Sequence, residues 1–239
     1  MKRSVVVTIL VLGASLILSS CGKEEAKSGN ELQQELLLGR QNDQGVYRAD
    51  LTTLNPMLSE KTSGSVEIRI DQDVMSVESK IFGAPIGVKH LQNITVSTKC
   101  PEADSDSNGD GFIDFDESLS LTGIVLIPLD SDIGEQLNGM DFGPIANESG
   151  NYIYRKSTKL TKLLDDLHAT DPDPLDVIAK LNPDQHLNLS GRVVLIHGVD
   201  SSYDLPETVG AMGAFSKEQS LPIACGKLIR VSDDGQLIH

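Results

Sequence analysis

Twelve residues in the middle of the chain, DSNGDGFIDFDE from Asp106 to Glu117, set oxygen-bearing side chains at a spacing that fits one chemistry. Calcium loops of this length draw ligands from positions 1, 3, 5, 7, 9 and 12 and need glycine at position 6 for a sharp turn. With Asp106 at position 1, Asn108, Asp110, Asp114 and Glu117 fall at positions 3, 5, 9 and 12. Gly111 falls at 6, and Phe112 at 7 would serve through its backbone carbonyl. Ile113 at position 8 is the usual apolar anchor. A solvated acidic turn rarely brings a glycine, an aliphatic residue and a glutamate into this register. The residues therefore predict a calcium site built from Asp106, Asn108, Asp110, Phe112, Asp114 and Glu117.

The histidines are the other candidates. There are five, at 90, 168, 186, 197 and 239, and no HExxH, CxxC, GxSxG or phosphate-binding glycine loop accompanies them. His197, inside the apolar run GRVVLIHGV, reads equally as a core histidine with its hydrogen bonds satisfied or as a metal ligand. His90 follows Lys89 and is expected to be half-exposed; His168 and His186 are expected on the surface, and His239 in the tail. Ser201, Ser202 and Asp204 lie close to His197 along the chain, but nearness in sequence is not triad geometry, and no elbow motif supports them. No catalytic residue is assigned, and the chain reads as a non-enzyme.

The elements that must carry these residues are mostly strands. GSVEIRIDQD alternates cleanly, with Val66, Ile68 and Ile70 on one face. VMSVESKIFG follows across a short Asp-Gln-Asp turn and makes a hairpin with it. VYRADLTTL, KHLQNITVSTK, LTGIVLIPLD, NYIYRKS, GRVVLIHGV and LPIACGKLIRV add further strands. TKLTKLLDDLHA has helical spacing, with Leu160, Leu163, Leu164 and Leu167 on one side, and PLDVIAKL reads as a second short helix. The calcium loop is expected to follow a strand that runs to Cys100 and to be followed by at most one helical turn and then a strand. That leaves none of the paired helices of a calcium sensor. The expected fold class is mainly β, an antiparallel Greek-key β-sandwich with one or two short helices in a late insertion. It spans 46–232 and contains the loop at 106–117.

The N-terminus reads as a processing signal. MKR precedes the apolar run SVVVTILVLGASLIL, which is short for a membrane span. It ends in LSSC, which resembles a bacterial lipobox and implies lipidation of Cys21 after removal of 1–20. Residues 21–45 are polar and read as a flexible tether, and 233–239 as a tail. With Gly22 rather than aspartate after the cysteine, analogy with envelope sorting points to the outer membrane before the inner. Of three cysteines, Cys21 is then taken by lipid, and Cys100 and Cys225 remain in an exported, oxidising compartment. One disulfide is the natural reading; two separate buried thiols are the alternative. The net charge of −15 and pI of 4.6 exclude non-specific nucleic-acid binding. Absent tryptophan and 4% aromatics disfavour a stacking platform.

The segment from Gly191, with GRVVLIHGVDSSYDL and then LPIACGKL, resembles the closing part of copper/zinc superoxide dismutases, and also the chordin-type domain. The resemblance implies a copper ligand at His197 and a disulfide from Cys225 to Cys100, in agreement with the cysteine count. Departures accompany it. Where the family has a His-x-His pair, this chain has His90 followed by Leu91 and Gln92 or, a few residues later, Asn93-Ile94-Thr95. No histidine stands between Leu91 and Leu167, and Pro222 replaces the family's anion-guiding arginine. Redox copper needs several imidazoles at fixed geometry, so dismutase activity is expected to be absent. The resulting expectation is a lipid-anchored bacterial envelope protein, a non-catalytic structural or binding module with calcium as its ion. The alternatives are a copper or redox protein using His90 and His197, and a calcium-dependent adhesion module. The membrane is reached through the lipid, nucleic acid is no partner, and the protein partner is not readable.

Overall fold

The computed structural model describes residues 43–58, 61–136, 143–170, 178–182, 185–232 and 236. The expected leader, the lipidation site Cys21, the tether up to residue 42, His239 and all of the tail but Gln236 lie outside the described residues. Asp43 to Gly45, at the end of the expected tether, belong to the fold. Buried Asp43 accepts hydrogen bonds from the Leu187 and Asn188 N–H groups, and Gly45 begins the first strand.

The described chain is mainly β and antiparallel. Its strands are β1 (Gly45–Thr53), β2 (Ser63–Asp71), β3 (Val74–Phe82), β4 (Gln92–Thr95), β5 (Val125–Pro128), β6 (Tyr152–Lys159), β7 (Val193–His197), β8 (Pro222–Lys227) and β9 (Ile229–Val231). Three short helices accompany them: α1 (Phe115–Thr122), α2 (Leu160–Leu167) and α3 (Lys217–Ser220). The spatial order is β5-β4-β7-β8-β1-β2-β3-β6, with β9 also on β1. Hairpins join neighbours in sequence, but the chain crosses between the half β5-β4-β7-β8 and the half β1-β2-β3-β6 from β3 to β4, back from β5 to β6, again from β6 to β7 and finally from β8 to β9. The halves are therefore interlocked in the Greek-key manner. β1 is the joint: Val46–Arg48 pair with β9, while Thr52 and Thr53 pair with Cys225 and Ala224 of β8.

Alternation along the strands explains the core. Val66, Ile68 and Ile70 of β2 and Met75, Val77 and Ile81 of β3 are buried, while the residues between them mostly face water. They share one cluster with Ile94, Leu126, Val194, Ile196 and Ile223 from the other half, so a single core fills the space between the halves. β7 is buried on both faces. Its outward Val193 and Leu195 pack with Leu54 and Cys225 and against Cys100, which the connection from β4 to β5 brings over that side.

Several expectations sharpen. The strand expected to run to Cys100 stops at Thr95, after a register shift between Ile94 and Thr95. Ile178 forms a bridge to Val125, and Ala179 N–H donates to the Val125 carbonyl, so the described end of the expected second helix lies along β5 instead. α2 agrees with its leucine spacing, and Leu160, Leu163, Leu164 and Leu167 are all buried. Among the described residues no helix is long and apolar enough to cross a membrane.

Candidate functional site

The loop 106–117 hangs between β4 and β5. Cys100 pins its approach to β8 through a disulfide with Cys225, as expected. A 3-10 turn at Ala103–Ser105 leads in, and α1 leads out. That helix corrects the expectation of a single turn followed by a strand. The residues SLSLT alternate like a strand, but capping decides the local structure. The Asp114 carboxylate accepts the Glu117 N–H at 2.9 Å, and the Glu117 carboxylate accepts the Asp114 N–H at 3.2 Å. This reciprocal pair satisfies the first orphan donors of a helix. Phe115 then packs with Leu91, Val125, Ile178 and Met212.

Each constrained position of the loop has a definite job. Asp106 accepts from the Gly109 N–H at 2.8 Å and the Gly111 N–H at 2.9 Å. Asn108 Oδ1 accepts from the Asp110 N–H at 2.8 Å, and Asp110 accepts from the Phe112 N–H at 2.9 Å. Gly111 has φ +93°, a left-handed conformation that favours glycine over any residue with a Cβ. Ile113 is 4% exposed, which is the anchor role expected of it. The Glu117 carboxylate is turned onto the Ser107 and Asn108 N–H groups at 2.7 and 3.1 Å. With the side chains so engaged, no group of three or more His, Cys, Asp or Glu among the described residues is arranged as a metal cage. The donor types nonetheless suit a hard cation: carboxylates, one amide oxygen and one backbone carbonyl.

Distant residues hold this loop, and no sequence pattern points to them. Asn55, at φ +56°, donates to the Ile113 carbonyl at 2.9 Å and the Pro222 carbonyl at 2.8 Å, and accepts from the Ile113 N–H at 2.6 Å. It clamps position 8 of the loop to the start of β8. From the 198–221 connection, the Thr208 hydroxyl donates to Asp110 and the Gly210 N–H to Asp114, both at 2.5 Å. Burial works against the Asp110 carboxylate, but the bonds from Thr208, Phe112 and Asn108 together hold it below the usual carboxylate value. No motif marks these partners, because each lies far away along the chain. A groove of about 480 Å³, lined by Lys99, Glu102, Asp104, Asp116 and Glu117 among others, opens beside the loop.

The histidines come together in a different way from a ligand pair. Both His90 and His197 are 0% exposed, so the expectation of a half-exposed His90 is corrected. The cause is the approach of two segments: Gly198, at φ +109°, lets the chain pass so close that a Cβ there would lie 2.9 Å from the Lys89 carbonyl oxygen. His90 Nδ1 faces the His197 carbonyl and Nε2 faces the Pro85 carbonyl, each at 3.0 Å, and its ring stacks on Tyr152. His197 sits at a register shift in the β7–β8 ladder. Its Nδ1 lies 2.7 Å from the Ser220 carbonyl, and its Nε2 3.0 Å from the Asn93 amide nitrogen. A neutral ring that donates from Nδ1 to Ser220 and accepts at Nε2 from Asn93 satisfies both contacts. Burial pushes His197 down to about 4, against the opposing pull of the Ser220 carbonyl. Burial also lowers His90, offset in part by its two carbonyl neighbours. Both ring nitrogens of His197 are hydrogen-bonded, and neutral His90 donates from one nitrogen to a carbonyl while its other nitrogen faces a second carbonyl oxygen, so a copper ion here would have to displace protein groups from both rings. His168 Nε2 meets the Gln185 carbonyl near the surface, and His186 is exposed.

Set beside known proteins, the chain matches no family model and no curated protein. Its assignment rests on its own residues: a mainly β, antiparallel fold with a braced acidic loop on one side.

Proposed function

We propose that this protein is an exported, lipid-anchored, non-catalytic module whose loop 106–117 takes a calcium ion. The observation that carries this reading is the loop's position-by-position match: oxygen donors at each ligand position, glycine where the turn needs it, and Ile113 buried as the anchor. Asp106, Asn108, Asp110, Asp114 and Glu117 would hold the ion with the Phe112 carbonyl. The ion's role is structural, since α1 leaves the loop alone, without the paired helix that a sensor moves. Its contribution would be to neutralise a cluster of carboxylates beside the Cys100–Cys225 bridge and to tighten the loop against the 198–221 connection. The dismutase-like and chordin-like readings remain part of this proposal as an architecture. The interlocked strand order and the Cys100–Cys225 pairing support it, whereas the engaged imidazoles favour a structural over a copper-binding His197.

Thermal unfolding of the purified domain, stripped by chelator and then titrated with calcium, tests the reading. Calcium at a hundred times its dissociation constant should stabilise by about 2.7 kcal/mol. Glu117→Gln should abolish most of that gain. Metal analysis that finds no calcium, together with a melting temperature indifferent to it, would overturn the proposal.

A further inference from the structure

The same loop contains an Asn-Gly step, Asn108-Gly109, in exposed chain. Two hydrogen bonds prepare it for a reaction independent of any ion. The Gly109 N–H donates to Asp106 Oδ1 at 2.8 Å, so the proton of a backbone nitrogen already faces a carboxylate base. The Asp110 N–H donates to Asn108 Oδ1 at 2.8 Å, so the side-chain carbonyl already faces a donor that would stabilise negative charge on its oxygen. No side chain crowds the nitrogen from its own residue, and even a Cβ built on Gly109 would meet nothing within 4 Å. Glu117 holds the preceding backbone by accepting from the Ser107 and Asn108 N–H groups.

We propose that Asn108 is a self-modification site, at which the Gly109 nitrogen attacks the Asn108 side-chain carbonyl with Asp106 as the base. The bond between Gly109 N and Asn108 Cγ forms as the nitrogen's proton passes to Asp106. The bond from Cγ to Nδ2 then breaks, and the leaving nitrogen recovers that proton and departs as ammonia. The product is a five-membered succinimide. Water, the one co-reactant, opens it at either carbonyl to give aspartate or isoaspartate. Aspartate adds a negative charge at position 3 of the loop. Isoaspartate adds an atom to the main chain between positions 3 and 4, which the turns through Gly109 and Gly111 cannot absorb unchanged. The loop thereby carries a record of its age.

The test follows the full-length protein in chelator and mildly alkaline buffer, folded in one sample and unfolded in urea in the other. Peptide mass spectrometry with fragmentation locates the amide-to-acid exchange at Asn108. The second Asn-Gly step, Asn138-Gly139, provides a sequence-matched comparison. A positioned base and donor should make conversion at Asn108 about tenfold or more faster in the folded sample than in the unfolded one. Asp106→Ser should remove that acceleration and leave the rate in urea unchanged. A folded rate equal to or below the unfolded rate overturns the proposal, as does full acceleration surviving in folded Asp106→Ser. The comparison of folded with unfolded wild-type protein needs no variant, so it decides the matter even where Asp106→Ser fails to fold.

Discussion

His197 shows how much of this protein's chemistry a single buried ring can store. Its ordinary value is 6.5 and burial lowers it to about 4, so the unfolded chain takes up a proton that the folded chain refuses. The stability it protects is complete above about pH 6.5 and is lost as pH falls from there towards 4, by on the order of 3 kcal/mol. Urea unfolding across that window should show the loss, and His197→Gln should flatten the part of the slope that belongs to this ring. An identical pH profile in the variant would mean that other groups set it. The side chain that makes this possible is Asn93, whose amide nitrogen supplies the donor that a neutral Nε2 needs. In the sequence, Asn93 stands out only through the resemblance to dismutases, at one of two registers where that family has histidine.

At the scale of elements, the decisive feature is that the acidic loop is held from outside. Asn55 spans the loop and the start of β8 with three hydrogen bonds while itself buried and in a left-handed conformation, which asparagine tolerates better than most residues. Asn55→Ala would strand the Ile113 N–H and two carbonyls. It should cost about 3 kcal/mol, the upper part of the range for a buried group left unpaired. Denaturant unfolding in chelator measures it; a loss within error of zero would show that the loop needs no brace. The helix α1 belongs to the same scale. Its D-x-x-E start at Asp114 to Glu117 is a capping box in the sequence, but the alternating SLSL that follows has the pattern of a strand. The box prevails because an eight-residue helix needs its first turn satisfied and a buried face, and Phe115 supplies the latter.

For the whole molecule, the interlocking of halves matters most. β1 touches both, the core draws on both, and the Cys100–Cys225 bridge ties two points 125 residues apart. Cross-linking so long a loop removes much of the unfolded chain's freedom, worth about 4 to 5 kcal/mol in the chain-entropy account. Cys100→Ser with Cys225→Ser should therefore lower stability by about that amount in urea unfolding, and a protein of unchanged midpoint would argue that the bridge only positions the loop. The acidic surface, with a net charge of −15, adds self-repulsion that a bound cation or added salt would relieve.

Period-two alternation made β2 and β3 legible, because a strand with one buried face writes its register into the chain. Leucine spacing did the same for α2, and the identities at 106–117 prescribed a turn that glycine permits and oxygen donors close. Those patterns are local, set by backbone geometry over a few residues. What only the tertiary structure decided is pairing at long range. It decided that Asn55 meets Ile113, that Thr208 and Gly210 meet Asp110 and Asp114, and that His90 and His197 turn their rings onto protein groups in the interior. Partners separated by tens of residues leave no spacing to read. They are chosen when strands from two halves interlock and bury polar groups that must then find one another.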